Sequence, residues 1–266
     1  MEKVVLITGV SSGFGRAIAR LLASRGHIVY GTSRSDQTAI DGVGVLVANV
    51  NKPEEVENAV GKIFDREGRI DVLVNNAGFG LAGAIEDYSE GEAMLELNTN
   101  FLGVHRCCQA VLPYMRKQGN GTIISIGSIA GIMGIPFQGF YSASKFAVDG
   151  YMQALQYELK PYGIKVVMVN PGDFKTGFTD NRQLVKAATN SPYSHRFRQA
   201  LEIIEKDETN GLNPEVIAKK VAAIVSAKNP RYRYIVASFD QKLAVCLSKV
   251  LPQKMFFKII AGHYKV

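Results

Sequence analysis

Tyr141 and Lys145 stand four residues apart in the stretch YSASK. On a helix that spacing puts a phenol and an ammonium about one turn apart on one face. A free tyrosine titrates near pH 10, so it is a poor acid or base at neutral pH. A positive neighbour favours the phenolate and makes the hydroxyl a usable proton donor and acceptor. Ordinary composition nearly supplies one such pair by chance, so its meaning rests on the residues around it.

A second constellation lies at the start of the chain, where KVVLITG runs into TGVSSGFG. Gly9 allows a tight turn, and Gly13 and Gly15 predict close backbone approach to a pyrophosphate at a helix N-terminus. Ser11, Ser12 and Phe14 lie in the same turn and join the candidate cofactor site. The next apolar run ends in GTSRS, where an acid would bind the ribose hydroxyl of NAD and repel a 2′-phosphate. Ser33 removes that repulsion and Arg34 offers a guanidinium to the phosphate, which predicts NADP(H) over NAD(H).

The elements that position these groups follow from the pattern of apolar runs. VVLITG (4–9), HIVYGTS (27–33), VGVLVANV (43–50), DVLVNNAG (71–78), GTIISIGS (121–128), IKVVMVNPG (164–172) and RYIVAS (233–238) read as strands buried on both faces. Helical patterns alternate with them: Gly13 to Arg25 closed by Gly26, one opened by Pro53 with Glu54 and Glu55, one over Ser89–Lys117, one over Tyr141–Lys160 and one opened by Pro214. The alternation predicts an α/β fold: a single Rossmann-type domain over 1–266, with a doubly wound parallel sheet of about seven strands and helices on both faces. Ligands of such sheets bind outside the carboxyl ends of the strands, where both constellations fall.

Composition narrows the function classes. The chain has 266 residues, 47% hydrophobic, with a net charge of +7. The basic balance suits an anionic cofactor or membrane surface; no concentrated basic patch with interleaved aromatics argues for nucleic acid. Cys107, Cys108 and Cys246 and the four scattered histidines lack metal-ligand spacing, and no disulfide framework is expected. No signal peptide or membrane-length apolar run is evident, so the expected compartment is the cytoplasm.

Together these motifs resemble the short-chain dehydrogenases/reductases over roughly residues 3 to 176. The resemblance rests on TGVSSGFG, NNAG at 75–78, Asn100 in NFLG, Ser128 thirteen residues before Tyr141, YSASK, and PGDFKT at 171–176. It implies that Tyr141 is the acid/base, that Lys145 holds the nicotinamide ribose and lowers the tyrosine pKa, and that Ser128 steadies the substrate oxygen. Asn100 would position a water linking Lys145 to solvent. The resemblance places Asn75, Asn76, Ala77 and Gly78 beside the adenine and its ribose. Pro171, Gly172, Phe174 and Thr176 fall at the nicotinamide end. Asn49, followed by Val50, stands where the family usually has an adenine-binding aspartate. The implied reaction interconverts a carbonyl and an alcohol by hydride transfer.

Substrate choice is expected in residues 174–212, read as a lid or loop. Phe174, Phe178, Leu184, Met133 and Phe137 are candidates for an apolar pocket, which favours a lipophilic substrate on the hydroxysteroid and retinol dehydrogenase side of the family. Arg182, Lys186, Arg196 and Arg198 would instead suit an anionic group, as in a 3-oxoacyl-thioester reductase. A cofactor-binding regulatory protein without turnover is a further alternative. The amphipathic, basic segment 240–266 is expected to pack over the pocket or a neighbouring subunit, or to lie on a membrane surface. Helical patterns 89–117 and 141–160 are expected to make a homodimer or homotetramer by resemblance.

Overall fold

Alternating apolar side chains on seven short runs send one set to each face of a central sheet. The computed structural model describes residues 1–36, 39–180 and 182–266. The strands are β1 (Val4–Thr8), β2 (Ile28–Ser33), β3 (Val43–Val47), β4 (Val72–Asn75), β5 (Leu81–Ala82), β6 (Gly121–Ile126), β7 (Ile164–Pro171), β8 (Gln183–Leu184) and β9 (Arg233–Val236). Seven of them form one sheet in the order β3-β2-β1-β4-β6-β7-β9, with every pair parallel. The two-residue strands β5 and β8 pair with each other separately.

Among the described residues ten helices accompany them: α1 (Gly13–Ser24), α2 (Pro53–Glu67), α3 (Glu90–Leu97), α4 (Gly103–Gln118), α5 (Gly139–Leu159), α6 (Gly177–Asp180), α7 (Ser194–Thr209), α8 (Glu215–Ser226), α9 (Phe239–Val250) and α10 (Gln253–Tyr264). Val4, Leu6, Leu73, Ile123 and Met168 face one core with α2, α4 and α5. Val5, Ile7, Val74, Ile124 and Val167 face the other with α1 and α8. This is the doubly wound Rossmann-type arrangement expected from the alternation, and it reverses direction beside β1.

Two boundaries carry functional meaning. Strands β1, β4 and β6 stop at Thr8, Asn75 and Ile126, short of the runs 4–9, 71–78 and 121–128. The residues left over turn out of the sheet and wall a cavity. The helical run 89–117 is likewise interrupted by a five-residue π turn, Asn98–Leu102, between α3 and α4. Such turns recur at functional sites, and this one carries Asn100.

Residues 174–212 are not an unstructured loop. They contain α6, β8, a short 3₁₀ turn and the sixteen-residue α7. Asn181, inside that segment, lies outside the described residues. The segment 240–266 forms most of α9 and α10. Val245 and Phe256 bury themselves against Ile129 and Met133, just past Ser128. Among the described residues no helix is long and apolar enough to cross a membrane.

Candidate active site

The first turn is built by side chains reaching back to it from the strand alongside. Gly9, at φ 71°, donates its N–H to the Thr32 carbonyl at 3.0 Å, and Val10 donates to the same oxygen. Asn76 Nδ2 donates to the carbonyls of Thr8 and Gly9, each at 2.9 Å. The Thr8 hydroxyl accepts from the N–H groups of Asn76 and Ala77. Thr8 thus ties the end of β4 to the first turn, a role its sequence, directly before the glycine turn, does not announce.

Gly15 has a different role from the one expected. A Cβ there would fall 2.1 Å from the Gly9 carbonyl oxygen and 2.5 Å from Asn76 Nδ2. Its lack of a side chain lets α1 pack onto the turn, and it does not line the cavity. Gly13, at φ 54°, does line it.

A cavity of about 500 Å³ runs from this turn across the carboxyl ends of the strands. Gly9, Ser11, Ser12, Gly13 and Phe14 wall one end; Ser33, Arg34, Asn49, Val50, Asn76, Ala77 and Gly78 wall the next stretch. Ser128, Tyr141, Lys145, Pro171, Gly172, Phe174 and Thr176 complete it. Arg34 is exposed at this wall, while Ser33 is buried. The Asn49 carbonyl Oδ1 accepts from the Asn51 N–H at 3.0 Å. Asn75 is a correction: its side chain is buried, donates to Ser125 Oγ at 3.2 Å and Cys108 Sγ at 3.5 Å, and takes no part in the cavity wall.

Helix α5 and the strand ends assemble the reactive groups. Ser128 closes β6 as the cap of a short turn, and its Oγ accepts from the Ala130 N–H at 3.0 Å. The same hydroxyl is a hydrogen-bond partner of Tyr141. Lys145 is buried, donates to the Ile126 carbonyl at 3.2 Å, and holds Nζ 5.6 Å from the Tyr141 ring centroid. Asn100 stands behind them, fully buried. Its Oδ1 accepts from the Phe79 N–H at 3.0 Å, and its Nδ2 donates to the Phe79 carbonyl at 2.8 Å and Ser144 Oγ at 3.1 Å. The side chain expected to position a water therefore has its polar groups engaged with backbone and α5. A Cβ on Gly78 would lie 3.0 Å from Asn100 Oδ1 and 3.7 Å from Lys145 Nζ, which explains the glycine.

The electrostatics also correct one expectation. Burial pushes the Tyr141 phenol up, against a smaller opposing pull from the Ser128 hydroxyl. Burial lowers Lys145 to about 8, partly opposed by Glu96. Each group is driven toward its neutral form because the site is poorly solvated. A lysine-lowered tyrosine pKa is not what these protein groups produce.

The substrate end is only partly as expected. Phe174 is buried and packs edge-to-face on Phe14 at 5.0 Å; Phe178 lies 5.7 Å from Tyr141. Both line the cavity, but Leu184 is exposed on β8, Met133 packs under α9 and α10, and Phe137 pairs with Phe197 in a separate cluster. Among the four cations, Arg182 is buried in an ion pair with Glu208, and Arg196 and Arg198 are exposed. None of them, nor Lys186, lines the cavity. Instead Asp173, Glu208 and Tyr264 line it. Burial and the nearby Glu208 and Asp207 raise Asp173 to about 7. Gln241 of α9 donates to its Oδ2, and a Cβ on Gly172 would collide with that glutamine's Oε1 at 2.0 Å.

The family model described as short chain dehydrogenase matches residues 3–186. The chain belongs to the short-chain dehydrogenase family. A 3-ketodihydrosphingosine reductase of Bacteroides thetaiotaomicron is 50% identical over 265 residues, covering 99% of this chain and 98% of the relative. A short-chain dehydrogenase from Streptomyces avermitilis matches with a TM-score of 0.80 at 27% identity, over 98% of each chain. An alcohol dehydrogenase from Thermococcus sibiricus, complexed with 5-hydroxy-NADP, matches with a TM-score of 0.72 at 26% identity, over 90% of this chain and 97% of its own. The protein is therefore an oxidoreductase of this family.

Proposed function

We propose that the protein reduces the ketone of a long-chain lipid, with NADP(H) preferred over NAD(H), and that a 3-keto sphingoid base is its substrate class. The observation carrying the reaction is that Ser128, Tyr141 and Lys145 share one cavity wall with the open N-terminus of α1. The substrate class draws on the reductase from Bacteroides thetaiotaomicron, 50% identical along almost the whole chain.

The residues present fit a nicotinamide dinucleotide. Ser12 caps α1 with no side-chain hydrogen bond, and no acid occupies the first turn, so the helix end suits a pyrophosphate. Ser11 to Phe14 would hold that group, Ser33 and Arg34 a 2′-phosphate, and Asn49 and Val50 the adenine. Lys145 would hold the ribose hydroxyls near the nicotinamide. When bound, the cofactor supplies the hydride.

Tyr141 then has one task, to donate its phenolic proton to the carbonyl oxygen of the substrate. The raised phenol pKa keeps that proton in place until the oxygen gains charge. Ser128 donates a hydrogen bond to the same oxygen and stabilises the developing alkoxide. At the far side, Asp173 is the group that would meet the protonated amine next to the ketone of a sphingoid base, Glu208 in the same wall being already engaged by Arg182 and Thr179. Carboxylates at this wall disfavour the anionic acyl-carrier alternative.

Three further readings go with a lipid reductase. Helices α9 and α10 expose Phe239, Val250 and Phe257 among Lys242, Lys249, Lys254 and Lys258, a pattern suited to an anionic membrane surface. Helix α5 exposes Phe146 and Tyr157, which suits a subunit contact in a homodimer or homotetramer. All four catalytic positions are filled, which argues against a regulatory protein without turnover.

The deciding experiment is NADPH oxidation with a panel of 3-keto sphingoid bases, steroids, retinoids, acyl thioesters and simple aldehydes. Fastest turnover of the long-chain amino ketone is expected. Turnover confined to another class would overturn the substrate reading.

A further inference from the structure

Glu96 lies one turn before Asn100 on α3, with no exposed surface. Its Oε1 accepts from the Leu81 N–H at 3.0 Å. Its Oε2 is buried with no hydrogen-bond partner among the described residues. A carboxylate in such a place is costly, because desolvation penalises the charged form unless another charge compensates it. A glutamine would satisfy Leu81 equally well without that penalty, so the hydrogen bond alone does not account for an acid.

Lys145, whose Nζ lies beside Gly78 at the start of the stretch that Glu96 and Asn100 hold, is the candidate for that charge. It is the cation whose field acts on Glu96, and Glu96 in turn is the acid whose field acts on Lys145. Burial raises Glu96 to about 7, while the Leu81 N–H and Lys145 draw it back. The other titratable groups facing it are Tyr141 on α5 and Tyr88 ahead of α3, whose hydroxyl donates to the Leu81 carbonyl at 2.8 Å. Glu92, on the same helix, also acts on Tyr88. Both tyrosines are raised further by Glu96, so neither competes with Lys145 as its counter-charge.

Glu96 and Asn100 also act on one stretch of backbone. Asn100 holds both polar groups of Phe79, and Glu96 holds the N–H of Leu81. They fix the chain leaving Gly78, against which the lysine lies. We propose that Glu96 is a positioning residue acting through Lys145: its buried carboxylate keeps the lysine ammonium charged in a poorly solvated site, while its Oε1 anchors the segment after Gly78. The inference rests on the reading above that Lys145 works as an ammonium.

The test uses Glu96→Gln, which keeps an acceptor for Leu81 and removes the charge. Competitive acetylation of the whole enzyme, followed by mass spectrometry across pH, reports Lys145 protonation without any turnover. The lysine should titrate at least ~0.5 pH unit lower in the variant. The alkaline limb of kcat/KM with NADPH and a ketone should move with it, giving about a threefold loss that grows with pH. An unchanged lysine titration overturns the proposal, as a purely structural glutamate would predict. A shifted titration with an unshifted rate profile overturns instead the use of Lys145 as an ammonium. Should Glu96→Gln not fold, infrared titration of the buried carboxyl in wild type and Lys145→Met decides the matter. Loss of the lysine must raise the carboxyl's titration point, and no change overturns the pairing.

Discussion

Lys145 carries its ammonium 5.6 Å from the centroid of the Tyr141 ring, and burial drives the two groups in opposite directions. The phenol keeps its proton across the working pH range, whereas the lysine, lowered to about 8, loses its charge within that range. The proposed mechanism needs the phenol protonated and the lysine charged. The rate of ketone reduction should therefore be limited on the alkaline side by Lys145, falling as pH rises through about 8. Tyr141→Phe should lower kcat by about 10³-fold with NADPH binding retained, as read by fluorescence titration. Retained reduction in that variant removes Tyr141 from the mechanism.

Arg34 is exposed at the cavity wall beside buried Ser33, and among the described residues no acid lines the cavity at this end of β2. A charge-assisted contact of this kind is worth about 1.5–3 kcal/mol, or roughly ten- to a hundredfold in affinity. Arg34→Ala should weaken NADPH by about that factor and leave NADH nearly unaffected. Equal losses for both cofactors would assign the arginine to general attraction, and no loss would exclude it.

Much of this site is legible in the sequence because its chemistry is local. The spacing of Tyr141 and Lys145 on α5, and the sequence around Gly9 and Gly13, need no knowledge of distant partners. The fold is legible for the same reason, since β-rich runs buried on both faces have few other solutions. What the sequence hides is who meets whom across the sheet. Gly15 looks like a phosphate contact, yet it serves the Gly9 carbonyl. Asn75 and Asn76 are adjacent, yet β4 ends between them, leaving one pointed at Ser125 within the sheet and the other at the first turn. Asp173, Glu208 and Tyr264 come from three separate elements, so no local pattern announces that they share a wall.

Asp173 yields a test of both specificity and stability. Its carboxyl is raised from 3.8 to about 7 by burial and by Glu208 and Asp207. A folded-state pKa above the unfolded value gives stability that is complete below the unfolded pKa and lost as pH rises through the folded one. Asp173→Asn should remove that loss, so denaturant unfolding should show the variant gaining on wild type between pH 5 and pH 8. A charged amine in the cavity would draw the carboxylate form back. Accordingly, kcat/KM for a long-chain 2-amino ketone should fall about tenfold in the variant, while the deaminated ketone changes little. Equal losses for both ketones would deny Asp173 a part in amine recognition.

Helices α9 and α10 cover the segment after Ser128 through Val245 and Phe256, and Tyr264 reaches the cavity wall from the end of α10. Their outer surfaces leave Phe239, Leu243, Val250, Met255 and Phe257 exposed alongside lysines. Apolar side chains among basic ones bind anionic bilayers by burying area and by electrostatic attraction together. The protein should float with vesicles containing phosphatidylglycerol, less with neutral phosphatidylcholine vesicles, and less again at high salt. Phe239→Ser with Phe257→Ser should reduce flotation and raise KM for a vesicle-borne ketone, with turnover of a short soluble ketone retained. Flotation that ignores both lipid charge and the two phenylalanines would mean that these helices only close the pocket.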